Sequence, residues 1–86
     1  MSQMTKLFNA VCSGQSDRNI RFYDLQMLLL ALGFKLARIN GDHFVYAKED
    51  IDEIINIQPD KGDSSKAKAV QVRQIRNIIR KYNMEV

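Results

Sequence analysis

Asn40-Gly41-Asp42 separates the imperfectly alternating Phe34-Lys35-Leu36-Ala37-Arg38-Ile39 from a run in which aromatic and β-branched residues alternate, and it constrains the fold more than any other part of the chain. A glycine paired with Asn or Asp between two such runs is a strong short-range signal for a β-hairpin. A type I′ turn at Asn40-Gly41 predicts strands over residues 34–39 and 42–48. His43, the one histidine of the chain, then stands at the start of the second strand. There a rigid sheet holds the ring while its edge still reaches solvent, a placement that suits a general acid or base. Alternation along the strand sends His43, Val45 and Ala47 to one face and Asp42, Phe44 and Tyr46 to the other. Parity alone leaves open which face is the core, and it predicts no contact between Asp42 and His43.

The segments around this hairpin read as follows. Met4, Leu7, Phe8 and Val11 fall at i, i+3, i+4 and i+7, with Cys12 on the same side, which predicts a helix over residues 3–13. Ser13-Gly14-Gln15-Ser16-Asp17 ends it as a loop. Leu25, Leu28, Leu29 and Leu32 repeat the spacing before Gly33, predicting a second helix over 24–32, with Phe22 and Met27 spaced for a hydrophobic staple around Tyr23. Lys48 to Glu53 is a charged turn, and Ile54 to Gln58 is a short strand closed by Pro59. Residues 60–68 are small and polar, the composition of a mobile loop. Val72, Ile75, Ile78, Ile79 and Tyr82 mark the buried stripe of a last helix over 70–83. Its other side carries Arg73, Arg76 and Arg80 at i, i+3 and i+7. The expected architecture is one α+β domain over residues 1–86, a three-stranded antiparallel sheet with helices on one face in the order α-α-β-β-β-α.

Composition narrows the class. Apolar residues make up 45% and charged residues 27%, the balance of a chain that folds rather than one that stays disordered. The apolar run from Met27 to Leu32 is far short of the ~20 residues that span a bilayer, and no signal pattern opens the chain, so a cytoplasmic protein without a membrane segment is expected. A single cysteine permits no internal disulfide, and one Cys with one His gives no zinc spacing. The charge is uneven: residues 1–60 hold six Lys/Arg against eight Asp/Glu, and residues 61–86 hold seven against two. A polyanion is the natural partner of such a C-terminal end, and an acidic protein or mere solubility also accounts for it.

Four motifs occur in an informative order: Leu32-Gly33-Phe34, Gly41-Asp42-His43, Ile57-Gln58-Pro59, and Lys66-Ala67-Lys68 leading into Gln71-Val72-Arg73-Gln74. Together they resemble the HicA family of toxins from bacterial toxin–antitoxin modules. The resemblance covers residues 20–83 and leaves the helix over 3–13 as an extra N-terminal element. It implies a fold similar to the double-stranded-RNA-binding domain, cleavage of mRNA without a metal or other cofactor, and neutralisation by a HicB-type antitoxin protein. The family's catalytic histidine carries over onto His43. The residue before it is Asp42, where many members have serine, and Ala69-Val70 stand where the family often shows a proline and an aromatic residue.

Cleavage of RNA through its own 2′-OH requires that hydroxyl to lose a proton, the phosphorus to carry extra negative charge and the 5′-oxygen to gain a proton. An imidazole can perform either transfer near neutral pH. With one histidine, a two-histidine relay is excluded. Lys66 and Lys68 are the candidates for stabilising the charged phosphorus, Tyr46 for donating a hydrogen bond, and Gly41 and Asp42 for shaping the turn. Lys61, Lys66, Lys68, Arg73, Arg76 and Arg80 could follow phosphates independently of sequence. Blander readings stand beside these: a satisfied structural histidine, an arginine stripe that is only a solvated face, and an acidic turn at Glu49, Asp50, Asp52 and Glu53 that holds no metal. The alternative function is a non-catalytic RNA-binding module, or a degenerate toxin, using the same basic surface.

Overall fold

The computed structural model describes residues 3–86. In chain order the elements are α1 (Gln3–Ser13), one 3-10 turn (Asp17–Asn19), α2 (Phe22–Ala31), β1 (Lys35–Asn40), β2 (His43–Ala47), β3 (Ile54–Ile57) and α3 (Ala69–Lys81). The strands form one antiparallel sheet in the order β1-β2-β3, so the α-α-β-β-β-α arrangement expected from the sequence is the one found. The 3-10 turn has no counterpart in the apolar spacing. Among the described residues no helix is long and apolar enough to cross a membrane.

The helices form where their apolar residues share a face. Val11 of α1 is fully buried, and Met4, Leu7, Phe8 and Cys12 pack against the same core. In α2 the buried residues are Phe22, Leu25, Leu28 and Leu29. This helix starts earlier than expected, with Arg21 and not Tyr23 at the N-cap, because the N–H of Phe22 donates to the carbonyl of Ser65 at 2.9 Å. The staple between Phe22 and Met27 is therefore replaced: Phe22 lies inside the helix and meets Phe44 edge-on, ring centroids 5.2 Å apart. Gly33 ends α2 with φ +98°. Its N–H reaches Leu30 and that of Phe34 reaches Leu29, the paired bonds of a Schellman cap. Asn83, at φ +51°, ends α3 in the same way, with its N–H bonded to Arg80 and that of Met84 to Ile79.

The hairpin turn lies one residue later than a type I′ turn at Asn40-Gly41 requires. Asn40 pairs with His43, so the two-residue loop is Gly41-Asp42. Gly41 has φ +63°, and Asp42 has no positive φ, which is the pattern of a type II′ turn with glycine at its first central position. Cross-strand pairs then decide the faces. Phe44 lies opposite Ile57 and Tyr46 opposite Ile55, and all four pack in the core beneath the helices. Each fully buried aromatic or branched side chain there contributes roughly 1.5–3 kcal/mol. The other face carries His43, Val45 and Ala47 of β2, Asn56 and Ile54 of β3, and Asn40, Arg38 and Lys35 of β1. A bulge at Ala37 shifts the β1 register between Leu36 and Arg38. It brings Lys35 and Arg38 to the same face although they are three residues apart.

Residues 60–68 are tied to the body of the protein, contrary to the mobile loop that their composition suggests. Arg21 bridges to Lys66 and Pro59 to Ala67. The N–H of Ala67 donates to Ile20 and that of Asp60 to Lys66, both at 2.8 Å. The carboxylate of Asp60 accepts from the N–H groups of Gly62 and Asp63, and that of Asp63 from Ser65. The main-chain bonds to Ile20 and Phe22, with the local bonds to the Asp60 and Asp63 carboxylates, fix the segment that leads into α3.

Candidate functional site

The tight Gly41-Asp42 loop places His43 on the first pair of the β1–β2 ladder, on the sheet face that no helix covers. Asn56, on β3, lies opposite Val45 and so is the diagonal neighbour of His43 on that face. Its Oδ1 is 3.2 Å from His43 Nδ1. With the amide oxygen as acceptor, this contact is satisfied by the tautomer that carries its proton on Nδ1, and a neutral ring in that tautomer keeps its lone pair on Nε2. The His43 side chain retains 45% of its exposure, which leaves that lone pair within reach of a ligand.

Asp42 Oδ1 lies 3.7 Å from Nε2. Strand alternation predicts no such contact. It forms because Asp42 belongs to the loop and not to β2, and loop side chains do not obey the strand's alternation. The carboxylate is positioned to pair with the ring once Nε2 is protonated, and it also sets a negative charge beside the outward nitrogen.

The other expected site residues separate into groups. Tyr46 does not reach His43: it is on the core face, nearly fully buried, and its hydroxyl accepts from Gln26 Nε2 at 3.0 Å. Arg76 is committed to structure. Its guanidinium grips Asp17 through two bonds, at 2.8 and 3.1 Å, and also donates to the Val11 carbonyl. This pairing holds its pKa above the ordinary arginine value. Arg80 donates to the Cys12 carbonyl, so these two arginines cap the end of α1 instead of forming a solvated stripe. Arg73 is exposed.

Extending the β2–β3 register sets His43 level with Gln58, and the Pro59–Ala67 bridge continues from there. Lys66 and Lys68 flank Ala67 and so lie at the end of the sheet that His43 occupies. Lys66 Nζ donates to Asn19 Oδ1 at 3.2 Å, with Asp63 at 4.0 Å, and Lys68 holds the N-cap position of α3. Lys61 is exposed. In the acidic turn, Asp50 pairs with Lys48, and Glu53 is bonded to Lys81 and Tyr82. Among the described residues no group of three or more His, Cys, Asp or Glu is placed to hold a metal ion.

Three residues of this face carry no signal in the sequence: Asn56, Arg38 and Lys35. The role of Asn56 follows only from the β2–β3 register, and the two cations share the face only because of the bulge. Both cations are exposed and have no ion pair among the described residues. The surface around His43 is a sheet rather than a pocket. A hollow of about 280 Å³, lined by residues such as Gly33, Lys35 and Lys48, sits at the far end of β2. Comparison with family models, with curated proteins and with solved structures returned no match to this chain.

Proposed function

We propose that the chain is a small ribonuclease toxin of the HicA kind, acting on mRNA in the cytoplasm and neutralised by a HicB-type antitoxin. The reading is supported above all by one observation, the 3.2 Å contact between His43 Nδ1 and Asn56 Oδ1 on an open strand face. It leaves Nε2 outward with a lone pair. In the proposed reaction Nε2 takes the proton of a ribose 2′-OH, and the 2′-oxygen attacks the adjacent phosphorus. The bond from phosphorus to the 5′-oxygen breaks, and the 5′-oxygen takes a proton from the imidazolium or from water. The products are a 2′,3′-cyclic phosphate and a free 5′-hydroxyl. Lys66 and Lys68 at the end of the sheet, with Arg38 and Lys35 along it, supply positive charge for the phosphates. An open face of this kind suits a polymer laid across it better than a small molecule, which needs a concave pocket.

The test is a labelled RNA with one 2′-deoxynucleotide at the cleaved position. The expected result is cleavage of the all-ribose strand to cyclic-phosphate ends and survival of the substituted strand. Cleavage of both would overturn the 2′-OH mechanism. A second reading, RNA binding without cleavage, is favoured by Asp42, whose carboxylate beside Nε2 opposes an approaching phosphate. It predicts a salt-sensitive mobility shift with intact RNA.

A further inference from the structure

β1 is an edge strand in which all six residues are exposed. On the face with His43 it presents Lys35 and Arg38; on the helix side it presents Leu36 and Ile39, 42% and 55% exposed although they lie opposite the core residues Tyr46 and Phe44. The helix layer stops short of them. Gln26 of α2 reaches Tyr46, and the side of α2 beyond Gln26 carries Tyr23 and Leu30, both exposed. Leu36 and Ile39 therefore stand as exposed apolar side chains on the helix side of the sheet edge. Asn40 and His43 close a two-residue loop and exchange their main-chain bonds, so the antiparallel alternation turns the N–H and C=O of Ile39 away from β2, toward solvent.

We propose that β1 is the receiving edge for an extended segment of another protein, one in which acidic residues alternate with apolar ones. The apolar residues would settle on the exposed Leu36 and Ile39, and the acidic residues would lie beside Lys35 and Arg38, two cations without an ion pair among the described residues. Main-chain bonds to the free side of β1 supply the affinity, and the two-sided pattern supplies the selectivity. A second copy of the chain is a poor occupant. Edge-to-edge pairing of two β1 strands brings the Lys35 and Arg38 of both chains onto one face, where like charges repel. Strand docking requires neither RNA nor the imidazole, so the inference stands apart from the cleavage reading. It shares Lys35 and Arg38 with that reading, and an acidic segment seated there would compete with RNA for both cations.

The experiment uses the full chain and a ten-residue peptide alternating glutamate and valine. Controls are the same peptide with lysine for glutamate, and the glutamate peptide N-methylated at alternate residues to block main-chain pairing. Binding is followed by calorimetry, and the Leu36 and Ile39 amides by hydrogen exchange. The expected result is binding of the first peptide only, with slowed exchange at Ile39. Arg38→Glu should weaken it about tenfold and confer binding on the lysine peptide. His43→Ala should bind the acidic peptide as the parent does. Equal binding of the N-methylated peptide, binding without protection at Ile39, dimerisation that buries β1, or no binding at all would each overturn the proposal.

Discussion

Asn56 Oδ1 faces His43 Nδ1 at 3.2 Å across the β2–β3 ladder, so the group that orients the imidazole comes from the third strand and not from the adjoining turn. Each strand supplies one part of the arrangement. The β1–β2 turn sets the position of His43, β3 supplies the polar partner of its Nδ1, and β1 adds cations along the same face.

Replacing Asn56 tests that orientation. Asn56→Leu keeps the branched shape and removes the acceptor, and it should lower kcat about tenfold while leaving KM nearly unchanged, because the ring loses its Nδ1 partner but the proposed phosphate contacts stay. Asn56→Asp restores an acceptor and should recover most of the rate. Single-turnover cleavage of a labelled RNA by the two variants measures both effects.

In the proposed reaction an incoming phosphate meets the Asp42 carboxylate, which lies 3.7 Å from His43 Nε2. Asp42→Asn removes that charge without changing the turn, and RNA should bind the variant roughly threefold more tightly at low salt. The difference should vanish as ionic strength rises, because the Asp42 side chain is exposed and its charge is screened. Titrations of a labelled RNA at several salt concentrations report it.

The Arg76–Asp17 pair joins α3 to the 3-10 turn, with both side chains largely shielded from solvent. Asp17→Ala leaves the guanidinium without its partner and should lower stability by about 1–3 kcal/mol. Arg73→Ala, on the exposed side of α3, should change it by less than about 0.5 kcal/mol. Urea denaturation distinguishes the two.

Glu53 gives the acid limb of stability a specific origin. Bonds from Lys81, and then from the Tyr82 hydroxyl, hold its carboxyl at about 2, well below its ordinary value of 4.5. A carboxyl whose pKa is depressed on folding stabilises the fold above its unfolded value and ceases to do so as pH falls through its folded one. The contribution is therefore fully present above about pH 4.5 and disappears on the way down to about pH 2. Glu53→Gln should flatten this part of the curve in thermal melts taken from pH 5 to pH 2. Asp50 and Asp63, also held low by hydrogen bonds from neighbouring side chains, should account for part of the loss that remains.

The elements with one strong local signal were legible in the sequence. α3 follows from the spacing of Val72, Ile75 and Ile79, and the hairpin from the glycine at 41. The turn type was not, because a glycine with positive φ serves as the second central residue of a type I′ turn or the first of a type II′ turn, and the pairing of Asn40 with His43 decides between them. Shifting the loop by one residue also makes Asp42 a neighbour of the imidazole. Arg76 reads as part of a solvated stripe since its partner Asp17 is 59 residues away. Asn56 reads as one polar residue in a β-branched strand, and its place beside His43 exists only once β2 and β3 are in register. The fixed conformation of residues 60–68 likewise depends on bonds to Ile20 and Phe22 that no local pattern announces.

The most direct test of the account is the incubation of a labelled RNA with the purified chain and with His43→Ala, in excess chelator and at several salt concentrations. The expected result is cleavage by the parent, a rate lowered about a hundredfold or more by the substitution, and RNA binding that survives in both. Equal cleavage by the two proteins, or intact RNA with the same salt-dependent mobility shift in both, would contradict the assignment of His43 as the catalytic group.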